Sequence, residues 1–220
     1  MITKVKDAYA NYDFVLATNT MTNFMTNELS SYYCDYAKDI LYCDEGLRRK
    51  QVQTVLLQAI DALVKLWSPV LVFTTDEVYS FYKPEETSVH YTHFPESATY
   101  DDSEEVKADF ARLHELRDDV LKALEEARQN KTIGKSLEAH VYLNVSDEDK
   151  TLLDKNFGDK VNQWLIVSKV DYTNDELTKY ETCEVKVEKV SGVVCPRCWN
   201  ITDSTDPEGL CDRCKKVLGK

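Results

Sequence analysis

Two matched cysteine pairs lie near the end of this sequence: Cys195-Pro196-Arg197-Cys198 and, twelve residues later, Cys211-Asp212-Arg213-Cys214. Two residues between cysteines let both sulfurs of a pair reach one ion from a single tight turn. The intervening loop then brings the second pair round to complete a tetrahedron. Four thiolates suit zinc, with iron the main competitor. A lone CxxC also reads as a redox dithiol, but that chemistry needs a thioredoxin-like context and leaves the second pair unexplained. Two disulfides would demand an oxidising compartment. A catalytic zinc keeps one position open, whereas cysteine fills all four here, so the site is expected to be one structural Zn2+. The segment from Val193 to Gly219 has few apolar side chains. Metal binding must therefore supply most of its folding free energy.

The other cysteines, Cys34, Cys43 and Cys183, are scattered and read as reduced, partly buried small side chains. An odd total of seven fits a reducing cytosol better than secretion. No signal peptide is visible, and the apolar run Leu66 to Phe73 is broken by Ser68 and Pro69. That run is too short to span a bilayer, so a cytoplasmic protein without membrane contact is expected. A net charge of −12 excludes a general nucleic-acid coat. The charge is uneven, however. From Lys186 to Lys220 there are seven Lys or Arg against five Asp or Glu, which leaves room for a small basic face.

The first two thirds read as helices with one apolar face each, which pack as a bundle. Phe14, Ala17, Met21, Phe24 and Met25 recur at helical spacing, and so do Tyr32, Tyr33, Tyr36, Ile40 and Leu41 after a start or bend at Ser30-Ser31. The strongest helix runs from about Glu45 to Trp67 and ends near Pro69. A shorter one reaches Tyr82, residues 83–102 are loop, and a long charged helix covers about Ser103 to Asn130. Beyond Gly134, His140 to Val145 alternates as a strand. One or two short helices are expected to follow Ser146, then a buried strand at Trp164-Leu165-Ile166-Val167 and another from Cys183 to Val190. The expected organisation is a helical domain at 1–135, a small α+β domain at 136–190 and a metal-binding module at 191–220.

No phosphate-cradling glycine loop and no GxSxG occurs. His90 and His93 lie in a loop without an evident third ligand, and Asp118-Asp119 and Glu125-Glu126 read as solvated helix faces beside Lys122 and Arg128. With no acid–base pair in view, no catalytic site is expected in this chain. Binding residues do stand out. Arg197 and Trp199 flank the first cysteine turn. The indole is either a platform for an unpaired RNA base or packed on the α+β domain. Arg48-Arg49-Lys50 opens the strongest helix and either meets phosphates or forms a solvated cap.

Several longer stretches carry a resemblance. They are Tyr12-Asp13-Phe14, Leu29-Ser30-Ser31-Tyr32-Tyr33, Asp39-Ile40-Leu41-Tyr42-Cys43, Gln53-Thr54-Val55-Leu56 and Ser68-Pro69-Val70-Leu71 with Phe73-Thr74-Thr75-Asp76-Glu77-Val78. Ser88-Val89-His90 to Phe94-Pro95, Arg117 to Glu125 and Ile133 to Ala139 join them, with the cysteine knuckle. Together they resemble the C-terminal region of bacterial-type isoleucyl-tRNA synthetases, class I aminoacyl-tRNA synthetases. The resemblance covers nearly the entire chain, with 148–180 the least distinctive stretch. Valyl and leucyl relatives share the helices but not, as a rule, the four-cysteine tail. The family's HIGH and KMSKS signatures are absent, so the chain is expected to be part of a longer enzyme.

The resemblance implies an anticodon-binding bundle, a junction domain and a zinc-binding end that grip the anticodon stem-loop of isoleucine tRNA. By motif position, Arg197 and Trp199 resemble the knuckle residues that face anticodon bases in the family. ATP-dependent attachment of isoleucine and editing of mischarged valine belong to absent domains of the parent, which is expected to be a monomer. The alternatives are a zinc-stabilised protein-interaction module or the equivalent region of a valyl or leucyl enzyme.

Overall fold

Asp13 shows how the helices are started. Its carboxylate accepts the Leu16 N–H at 2.9 Å and so satisfies one of the unpaired donors of a new helix. Tyr12 ahead of it sits at φ +58, which turns the chain back from α1 (Ile2–Ala10) into α2 (Phe14–Asn23). The computed structural model describes residues 1–219. In it the chain forms two compact units, Met1–Thr99 and a second beginning at Tyr100.

The first unit is all helical. After α2 the helix continues without a break through a π-helical stretch, Phe24–Cys34, into α3 (Asp35–Cys43). Ser30-Ser31 therefore neither starts nor ends a helix. The Ser31 hydroxyl bonds the Thr26 carbonyl five residues back, which matches the wider π register. α4 (Leu47–Trp67) and α5 (Val72–Tyr82) complete the unit, with the bend between them at Ser68–Leu71.

Its apolar contacts fall into three small clusters. Val5, Ala8, Ala17, Met21 and Leu66 form one, and Ala37, Ile40 and Val52 a second. Val64, Tyr79 and Val89 form the third. Asp76 of α5 accepts from the Ser88 hydroxyl and the Val89 N–H, which pins the following loop and drives Val89 inward. In the same loop the His90 ring Nε2 lies 3.1 Å from the Val72 carbonyl.

The second unit is built on α6 (Ser103–Gln129). Of the stripe that the periodicity predicts, Val106, Phe110, Leu113, Leu116, Val120, Leu124 and Ala127, the part from Leu113 onward is buried, joined by Ala123, whereas Val106 near the start of the helix is exposed. Against it packs a four-stranded sheet in the order β2-β1-β4-β3: β1 Ala139–Asn144, β2 Lys169–Tyr172, β3 Thr178–Lys179 and β4 Glu184–Lys189. β1 alternates strictly, with Ala139, Val141 and Leu143 buried. β1 and β2 are parallel, and the crossover between them carries α7 (Asp147–Phe157) and α8 (Val161–Leu165).

Trp164-Leu165 thus belongs to a helix and not to the strand expected there. A short apolar run buried on all sides has no periodicity that separates the two. Ile166, left-handed at φ +59, ends α8, and the strand begins three residues later. Trp164 stacks on Phe157 at 4.5 Å and is 1% exposed. Asp119 departs from its reading as a solvated group as well. It is buried on α6 and accepts the Thr182 N–H and hydroxyl, both at 2.7 Å, and Lys122 at 3.0 Å.

Arg112 of α6 grips Asp149 at the start of α7 with two bonds of 2.8 and 2.9 Å, and Ser146 adds a third at 2.8 Å. The guanidinium holds the Asp149 carboxyl below the usual carboxylate range. A depressed folded-state value means the stabilisation is complete above the unfolded value near pH ~4 and is lost as pH falls through the folded one. Arg112→Ala is expected to destabilise the second unit by about 2 kcal/mol at neutral pH. In urea unfolding followed across pH, it should also remove part of the acid-induced loss of stability.

Candidate metal centre and nucleic-acid interface

A two-stranded hairpin, β5 (Val193–Val194) with β6 (Ile201–Thr202), presents the first cysteine pair in its turn. The Cys195 N–H bonds the Asn200 carbonyl at 3.0 Å, and the Trp199 N–H bonds the Cys195 carbonyl at 2.8 Å. These bonds close a tight knuckle from 195 to 200. The second pair opens α9 (Asp212–Val217). The connecting loop is shaped by Asp206, whose carboxylate accepts the N–H groups of Glu208 and Leu210 at 2.9 and 2.8 Å. Gly209, at φ +84, completes that turn.

The two halves bring four sulfurs together. All four Sγ atoms lie within 4.8 Å of one another, and Cys198 and Cys211 are 3.8 Å apart. Sulfurs about 2.3 Å from one tetrahedral ion stand roughly 3.8 Å from each other, so this spacing fits a shared metal. Disulfide sulfurs would stand at about 2 Å. Cys195, Cys211 and Cys214 are buried and Cys198 is half-buried.

The surroundings act differently on the buried thiols. Burial pushes the Cys195 thiol up, but the backbone N–H groups of Cys198, Cys211 and Arg197 outweigh it and hold this thiol below its ordinary range. Burial pushes Cys211 and Cys214 up, and on Cys214 a hydrogen bond from Arg197 works against that rise. Among the described residues, these four cysteines form the cluster able to hold a metal ion.

The binding residues divide. Trp199 is held in the left-handed region at φ +62 by the knuckle, and the residue is 68% exposed. Of the two readings open from sequence, packing on the α+β domain is thereby excluded, because a packed indole would be covered. Arg197 points a different way, with its Nη1 3.5 Å from the Cys214 sulfur. Arg48, Arg49 and Lys50 open α4 in the first unit. Arg48 lies over the Tyr36 ring, 5.9 Å from its centroid, and donates to the Tyr36 hydroxyl. Arg49 is half-buried, whereas Lys50 is exposed.

A scan of family models matches residues 1–143 to the anticodon-binding domain of tRNA ligase. The chain belongs to that family. Over 99% of its length it is 41% identical to an isoleucine–tRNA ligase of Bacillus mycoides. It is 40% identical to that of Bacillus cereus over the same share. The chain spans about a quarter of the length of these relatives. Among its described residues no helix is long and apolar enough to cross a membrane.

Sequence reading did not single out the residues that support the four-cysteine end of this chain. Asp206 was legible in principle, because Asp-Pro-x-Gly is a turn signature. Ser168 was not. Its hydroxyl bonds the Leu137 carbonyl and accepts the Ile201 N–H, so one side chain ties the hairpin to the sheet. Gly192 sits at φ +147, where a Cβ would lie 2.5 Å from the Thr202 carbonyl oxygen. Gly192→Ala is expected to cost about 1–3 kcal/mol through displaced hairpin backbone. Faster alkylation of the cysteines in the folded chain, relative to the unaltered sequence, would register the opening. Unchanged alkylation would contradict it.

Proposed function

We propose that this chain is the anticodon-recognising, C-terminal part of an isoleucine–tRNA ligase, with one Zn2+ on Cys195, Cys198, Cys211 and Cys214. The single observation that carries the reading is an indole fixed in solvent beside the converging sulfurs. It stands in a chain some 40% identical to isoleucine–tRNA ligases. The bound ion supplies structure and no chemistry. It would lock the knuckle, and the knuckle fixes the Trp199 backbone.

A base flipped out of the anticodon loop stacks on the exposed ring, with little ordering entropy lost because the ring is already positioned. Arg48, Arg49 and Lys50 at the start of α4 supply positive charge toward the RNA, while Arg197 is turned onto the Cys214 sulfur. The net charge of −12 makes such local charge necessary. Activation of isoleucine with ATP, its transfer to tRNA and hydrolysis of mischarged valine are assigned to the rest of the longer enzyme. That enzyme is proposed to work in the cytoplasm as a monomer.

Stacking of one base is worth about 1–3 kcal/mol. Trp199→Ala is therefore expected to weaken binding of isoleucine tRNA by roughly 5- to 150-fold, with metal content unchanged. Binding should also weaken steeply with added salt. Equal affinity for isoleucine and valine tRNA, unaffected by the substitution, would refute the assignment. A metal chelator is expected to release the last ~25 residues while the helical transition of the first unit persists. Thermal melting followed by circular dichroism, with proteolysis of the tail, reads both. Joint melting of the helices and the tail would contradict it.

A further inference from the structure

Arg197 sits between the two ligands of the first pair, yet its Nη1–H donates to the sulfur of Cys214 in the second pair, 3.5 Å away. Cys214 is completely buried, so water cannot supply that hydrogen bond. Four thiolates around a divalent ion leave a net charge of −2 in a poorly hydrated place. One guanidinium halves it. The same bond staples the hairpin knuckle to the first turn of α9.

Trp199, two residues on, carries an exposed ring, so the pair expected to share one task is divided between two. We propose that Arg197 is a positioning residue of the metal site, holding the Cys214 sulfur and offsetting thiolate charge, so that its loss loosens the ion before it weakens RNA stacking. This rests on the metal reading above and extends it, because the family match ends at residue 143 and assigns Arg197 nothing.

The test uses the whole chain loaded with zinc, and in parallel with cobalt(II). Hydrogen bonds to metal ligands are commonly worth 10- to 100-fold in metal affinity. Arg197→Ala is expected to release zinc to a chromogenic chelator at least ~10-fold faster. Its cobalt–thiolate charge-transfer band should move to longer wavelength, because a sulfur without its N–H donor is more electron-rich. Arg197→Lys, which keeps the charge and a donor, should recover part of both effects. Lys216→Ala removes an exposed cation from α9 and should change neither.

Should Arg197→Ala not fold, as judged by its helical circular dichroism, the lysine variant carries the comparison. An Arg197→Ala protein with normal zinc release and an unmoved cobalt band overturns the proposal, and more firmly if tRNA affinity alone falls. Should the unaltered chain hold no zinc at all, the metal reading fails and this inference fails with it.

Discussion

Everything distinctive about the end of this chain depends on four sulfurs converging from two turns that have little else to hold them. The hairpin strands are two residues each, and α9 has six residues. Leu210 is buried with the cysteines, but Val193 and Val194 are about half exposed. Apolar burial on that scale falls short of the entropy of fixing some twenty-five residues. A shared ion would close the gap, at the point where the two turns meet.

What the ion would hold is a direction as well as a fold. The knuckle forces Trp199 into a left-handed backbone that a bulky residue adopts only when its neighbours impose it. The hydrogen bonds from 195 to 200 impose it here. Ser168 then fastens the hairpin to the sheet, and α6 supports the sheet from one side through Leu116, Val120 and Leu124. Charge follows the same logic. A chain at −12 cannot attract RNA by its average field, so the proposed recognition would rely on a placed ring and a few placed cations.

Much of this was legible in the residues. The cysteine spacing announced the cluster, and the stripe from Val106 to Ala127 announced the long helix, although its first member is exposed. Helical periodicity also marked α4, and strict alternation marked β1. Where reading failed, physical reasons can be named. Trp164 and Leu165 are apolar on every side, so no period showed a helix. Ser30-Ser31 looks like a boundary by composition, yet a hydroxyl can bond back along a helix and widen it instead of ending it. Asp119 looks like any surface acid. Lys122 was in view, but the two bonds from Thr182, 63 residues away, are what bury it, and single-sequence patterns carry no such information. The exposure of Trp199 and the inward turn of Arg197 were equally out of reach, because both depend on backbone closure across the knuckle.

The central claim is that one zinc ion joins the two cysteine pairs. Zinc-edge X-ray absorption on freshly purified protein, with the metal content of the same sample, tests it most directly. The account predicts one zinc per chain surrounded by four sulfurs at about 2.3 Å. Substoichiometric metal, nitrogen or oxygen ligands in place of sulfur, or cysteines paired as disulfides would contradict it.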